Sequence, residues 1–480
     1  MLFRSGSGNP APKQSTRRAP IALWAIAAVI LALIAFIALR PRRSPEDVAQ
    51  LVAKAQSIAA NAAAKSSPAP APATALVWPR DSELKRAIAL IDGLDATRED
   101  FRLAEEMAKR AVERNASDPE AVTVFARVHS GFLHRNFDFT NERGAQAKRY
   151  GERAVQLALD EPEAHYALAL FLHYRARDFA RAETHARRAV ELGPNEPRFA
   201  RLLMRTVIAL RPGEGFAMGQ DVVRRFPRDA LSHYDLSIEY RNRGNLAQFE
   251  REIDATLALT PLSGAINWKA RLAFWSGDLP TMRQWLDQLP ARARAEERAV
   301  ISYVIWSLSS GSWEFGLSTL STYTETWLFD ANTYTGPTAL LQAMLLAQQG
   351  KAGLARVQYE AALVELAHRR KENPSDQTTR NSEVWIMLGL GRTEEARALH
   401  HTDVESLRRP FRVLMTSVWW YGPIPRSLLV GDRETALQLI REGASEAEGR
   451  KWIRRQLQTD VRMAPFRDDP QITALLADPK

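Results

Sequence analysis

The sequence predicts an all-α protein in which one membrane-spanning helix precedes a long stack of antiparallel helical hairpins. Three observations predict it: an uncharged apolar run near the start, a set of prolines spaced by one hairpin's length, and small residues recurring at matching places in successive helices. A chain of 480 residues, 45% hydrophobic and 25% charged, can bury a substantial core and is not of disordered composition.

The first element is the run Ile21–Leu39, IALWAIAAVILALIAFIAL, which carries no charge and as a helix is long enough to cross a hydrocarbon core. A cleavable signal peptide is the rival reading. The run is longer than a usual signal core, however, and it ends in Leu39-Arg40-Pro41-Arg42-Arg43 with no small-x-small site. The pair Arg17-Arg18 is followed by Ala-Pro and not by the apolar start of a twin-arginine signal.

The charge distribution agrees with an anchor. The whole chain is +9 with a pI near 9.8, but residues 1–65 hold nine basic residues against Glu46 and Asp47, a net of +7. Basic residues flanking an apolar segment suit phosphate headgroups, so the high pI points to membrane and not to nucleic acid. Basic residues lie on both sides of the run. The acid-free tail 1–20 is assigned to the cytoplasm and the large carboxyl-terminal domain to the outside of the inner membrane. Residues 44–65 read as a short juxtamembrane helix, and SSPAPAPAT (66–74) as an extended spacer, completing a connecting region over 40–81. The folded part starts near Ser82.

From there the repeats begin. Pro194, Pro227 and Pro261 are 33 and 34 residues apart, each closing a helix that it cannot continue. The preceding helices match: Ala104, Ala108, Ala111 and Val112; Ala147, Gly151, Ala154 and Val155; Ala182, Ala186, Ala189 and Val190. Small residues four and seven apart form one stripe that lets a neighbouring helix approach closely. The first helices carry the bulk, as in AHYALALFLHY and LSHYDLSIEY, and Gly244-Asn245 makes an inter-helix turn. In LLAQQGKAGLARVQYEAALVEL, Gly350, Ala355, Tyr359, Ala362 and Leu363 complete a pattern that resembles the tetratricopeptide family, and in particular its bacterial membrane-anchored members. Looser units follow around Gly391 and Ala396 and around Gly431 and Ala436.

The resemblance covers most of residues 85–445. It implies a right-handed superhelix, an α-solenoid of antiparallel hairpins: a regular array over 82–261, divergent aromatic-rich hairpins over 262–335, degenerate units over 336–445, and a capping helix and tail over 446–480. In this family the first helices line the concave face. Carried over residue by residue, the partner-binding groove is expected to present Phe171, Tyr174, Arg175, Tyr234, Ile238 and Arg241, a mixture suited to an extended peptide with apolar side chains and some acid.

A search for chemistry finds no established constellation. There is no H-E-x-x-H, no G-x-x-x-x-G-K-[ST], no G-x-S-x-G and no G-x-G-x-x-G. Without cysteine there are no disulfides, thiolate metal sites or cysteine nucleophiles. His134, Asp138 and Glu142 fall close together in HRNFDFTNERG, but their spacing matches no known ligand set and a solvated loop is the simpler reading. His400-His401 reads as surface. The aromatics of 306–334 and the cluster Trp419-Trp420-Tyr421 fit a solenoid core, with a ligand platform as the alternative.

The sequence therefore predicts a membrane-anchored scaffold or adaptor that binds a protein or peptide. No catalytic, cofactor or metal residues are assigned, and nucleic acid is not expected as a partner. The alternatives are an extracytoplasmic sensor working with a separate output protein and, third, an enzyme whose site lies in 134–144 or 300–340.

Overall fold

The computed structural model describes residues 78–330, 333–372, 379–403 and 422–478. The apolar run 21–39, the juxtamembrane and linker segments and the aromatic cluster 419–421 lie outside these. Among the described residues no helix is long and apolar enough to cross a membrane.

Helical hairpins follow one another along the chain. The first is α1 (Ser82–Ile91) and α2 (Arg98–Arg114); then come α3 (Pro119–Arg135) with α4 (Asn141–Leu157), α5 (Pro162–Phe171) with α6 (Phe179–Leu192), and α7 (Pro197–Leu210) with α8 (Pro212–Arg225). Next are α9 (Ala230–Asn242) with α10 (Leu246–Leu259), α11 (Ser263–Ser276) with α12 (Leu279–Asp287), and α13 (Glu297–Ser310) with α14 (Trp313–Ser321). Helix starts are written locally. Asp81 caps α1, Asn245 caps α10, and Thr97 with Asp100 forms a capping box on α2, each worth about 1 kcal/mol.

Pro194, Pro227 and Pro261 all fall just after a second helix, as their spacing predicts. The small-residue stripes face inward: Ala104, Ala108 and Ala111, then Ala147, Gly151 and Ala154, then Ala182, Ala186 and Ala189 are all buried. At Gly151 the approach is so close that a Cβ would lie 3.3–3.6 Å from Leu168 of the next hairpin. Gly244 takes a left-handed φ of 72° in the turn between α9 and α10.

The all-helical expectation needs one correction. Between α14 and α15 (Thr338–Gln348) the chain forms an antiparallel pair, β1 (Trp327–Asp330) with β2 (Tyr334–Pro337), in register Trp327↔Pro337 and Asp330↔Tyr334. The run WLFDANTYTGP is rich in aromatic and β-branched residues, which favour a pleated ribbon over a helix. The stack then resumes with α15 and α16 (Ala352–Glu372), α17 (Thr379–Gly389) and α18 (Thr393–Asp403), and α19 (Pro423–Val430) and α20 (Arg433–Ala444). It ends in α21 (Ala447–Thr459), a 3-10 turn (Val461–Phe466) and α22 (Pro470–Leu476), whose Ile472 and Leu476 pack into the last apolar cluster.

The array curls back on itself. Asp95 in the α1–α2 loop accepts a hydrogen bond from the Ser263 amide at 3.2 Å, across 168 residues of chain. Arg98 pairs with Glu297 at 2.7 Å and lies 3.8 Å from Glu325, Arg102 lies 3.5 Å from Glu325, and Arg292 pairs with Asp100. This seam is polar. Residues 84–167 share one apolar cluster and residues 249–476 another, and neither includes a residue of the other.

Candidate functional site

Curling shapes a partly open cavity of about 880 Å³. Its wall comes from α3, α5, α7, α9, α11 and α13, the first helix of each hairpin, with the α1–α2 loop and the end of β1 closing it. Successive first helices pack on one another, α3 on α5 and α5 on α7, which makes them the inner layer.

The cavity's polar lining is organised by α7. Arg198, Arg201 and Arg205 lie three and four residues apart and so share one helix face, on a helix otherwise apolar except for Thr206. Arg198 pairs with Asp92 at 2.5 Å and with Glu163. Arg201 pairs with Asp229 at 2.5 Å and lies 3.4 Å from Asp235. Arg205 pairs with Asp235 at 2.5 Å and donates to the Tyr174 hydroxyl at 2.9 Å. From α3, Arg127 pairs with Asp92 at 2.5 Å and Glu163 at 3.0 Å. Burial opposes the charge on Arg127 and Arg205, but the neighbouring carboxylates outweigh it and raise both pKa values. His134, facing Arg205 at 3.1 Å, is held neutral well below its usual range, first by burial and then by that guanidinium.

Of the six residues expected in the groove, the structure brings three together in the cavity wall: Tyr174, Tyr234 and Ile238. The other three take packing positions. Phe171 is buried against Leu133, Ala147 and Ala182. Arg175 stands over the Phe139 ring at 5.3 Å and donates to Asn141 at 2.8 Å. Arg241 is covered by Trp268, its guanidinium 4.7 Å from the ring, and burial lowers its pKa to about 10. The divergence at Arg175 has a local cause. Helix α5 ends in a π-turn, Leu172–Ala176, and the extra residue per turn rotates the following side chains out of the register that a continuous α-helix would give.

The remaining candidates separate. His134 turns into the cavity, while Asp138 pairs with Arg143 at 3.0 Å outside the cavity lining and Glu142 is exposed. Among the described residues no three His, Asp or Glu side chains gather as a metal site. Contrary to the surface reading, His400 is fully buried and bonded to Asp432 at 3.0 Å; His401 alone is exposed. The aromatics of 306–334 are mostly core, with the Trp306 indole donating to the Leu279 carbonyl and the Tyr334 hydroxyl to the Pro337 carbonyl, and Phe329 alone lining the cavity.

Hairpin follows hairpin, with stripes of small residues buried on the second helices of the first three. The fold is tetratricopeptide-like. No protein-family model matches the chain, and no curated protein matches it by sequence. Solved structures with a similar course include the human IFIT1 dimer with PPP-AAAA, at 12% identity over 68% of this chain and 72% of that one, TM-score 0.41. Others are YrrB, a tetratricopeptide protein with an unusual peptide-binding site, at 17% identity over 35% and 81%, TM-score 0.25, and pilF of Pseudomonas aeruginosa, at 14% over 46% and 94%, TM-score 0.32.

Proposed function

We propose that this protein is a membrane-anchored scaffold that holds a peptide segment of a protein partner within the cavity of its helical array, the array lying outside the cytoplasm. The observation that carries the reading is the wall itself. The inner layer of first helices offers a concave surface in which Tyr174, Tyr234, Ile238 and Leu231 stand beside charged groups, the mixture that binds an extended segment. Nine carboxylates against six arginines line the cavity, a balance that disfavours a polyanion such as nucleic acid. The anchor is supported by the uncharged run 21–39 and the +7 charge around it.

Site-specific photo-crosslinking in the full-length protein in its native membrane tests the binding reading. A photoreactive residue at Ile238 or Tyr234 is expected to trap a discrete partner, and one at exposed Val357 is not. No adduct from either cavity position overturns it. Carboxyl-terminal reporter fusions, one active only outside the cytoplasm and one only inside, decide the side.

A further inference from the structure

One cation in the cavity stands apart from the ladder of ion pairs. Arg127, Arg198, Arg201, Arg205 and Arg298 each have a carboxylate within 4 Å, Arg298 through Asp330 at 3.7 Å. Arg135, at the carboxyl end of α3, has none among the described residues. Its one hydrogen bond is a long one, 3.4 Å to the Gly93 carbonyl. Its charged neighbours are chiefly two more guanidiniums, Arg298 and Arg205, which reinforce the effect of burial in lowering its pKa, while Asp95 opposes them. Asp95 already accepts from the Ser263 amide, and burial raises the pKa of Glu296, the other carboxyl facing Arg135.

A partly buried guanidinium beside two other cations is unfavourable until an anion joins it, and its planar fork of donors matches two oxygens of one anion. The Tyr234 hydroxyl, which accepts from Arg298 at 3.0 Å, supplies a further polar group in the same wall. We infer that Arg135 is an oxyanion-binding site inside the cavity, taking a single carboxylate or phosphate group of the ligand that enters there. The site refines the peptide-holding reading and rests on the cavity being a binding site. It is local, so it accords with a wall whose overall balance is acidic.

The test uses the full-length protein in detergent, with thermal unfolding followed in chloride, inorganic phosphate and glutarate at equal ionic strength. In wild type, phosphate or glutarate is expected to raise Tm saturably. At tenfold its Kd an anion shifts the folding equilibrium about elevenfold, which is roughly 1–2 °C for an array of this length. Arg135→Gln should lose the saturable rise and, in chloride, melt no lower than wild type, because it relieves crowded positive charge. The arm that responds tells phosphate from carboxylate. An equal rise in both proteins, the general effect of excluded salts, overturns the inference; so does no rise in wild type. Should Arg135→Gln fail to fold, Arg135→Lys keeps the charge without the fork, and half-saturation at least threefold higher is expected; an unchanged value overturns the inference. If the anion has no effect but the Ile238 photo-adduct still forms, the oxyanion site alone is wrong.

Discussion

Replacing Glu297 by glutamine tests whether the polar seam of the curled array stores a pH dependence. Glu297 opens α13, accepts from Arg98 at 2.7 Å and from the Tyr323 hydroxyl at 3.0 Å, and is largely buried. Burial outweighs the attraction of Arg98 and raises its carboxyl to about 7, against 4.5 for an ordinary glutamate. A carboxyl raised in the fold holds its proton more tightly there than in the unfolded chain. Its stabilisation is therefore complete below pH 4.5 and is lost as pH rises through 7. At about 1.4 kcal/mol per pH unit, the difference across that window is roughly 3 kcal/mol. Glutamine keeps an acceptor for Arg98 and Tyr323 but never ionises. E297Q should match wild type near pH 4.5 and exceed it at pH 8 by up to roughly 3 kcal/mol, on the order of 3–4 °C in Tm for an array of this length. The assay is thermal unfolding of both proteins at half-unit steps from pH 4.5 to 8, where titrating groups away from Glu297 cancel in the comparison. A difference that stays constant over that range would refute the reasoning.

At Gly215 a Cβ would lie 2.4 Å from the Ile208 amide nitrogen, so Gly215→Ala must spread α7 from α8; a loss of about 1–3 kcal/mol is expected in chemical denaturation. Arg271 pairs with Asp330 at 2.7 Å with both side chains buried, and Arg271→Ala should cost about 3–5 kcal/mol by leaving a poorly compensated carboxylate inside; a loss under 1 kcal/mol would contradict that pairing. Because the chain has no cysteine, R102C with E325C makes the only thiol pair. A short bis-maleimide should link these residues across the seam at low salt and less efficiently in 1 M NaCl, whereas no linkage at low salt would mean that the array does not close.

The hairpins were legible because each rests on local rules: prolines after second helices, small residues at crossings, and caps such as Asp81 and Asn245 at helix starts. Tyr174, Tyr234 and Ile238 reach the cavity because they lie on first helices, a position the repeat pattern supplies. Arg175 and Arg241 escape the pattern for separate reasons, a π-turn in one case and the Trp268 ring from the following hairpin in the other. The arginine face of α7 was visible in the spacing of Arg198, Arg201 and Arg205, but its meaning was not, since Asp92 and Asp235 come from other hairpins. Closure is harder still to read. Asp95 and Ser263 carry no mark of each other, because their meeting depends on the summed small rotations of all the hairpins between them.

That meeting changes the statistical character of the array. In an open row of repeats each unit feels only its two neighbours, folding can begin anywhere, and an end unit can fray without the others noticing. A bond between Asp95 and Ser263 turns the row into a loop whose last contact forms after the greatest entropic cost. The first hairpin then has its full native neighbourhood only after residues near 263–325 have been synthesised and stacked. A lesion in α13 should consequently loosen α2, far from it in the chain, through the seam they share.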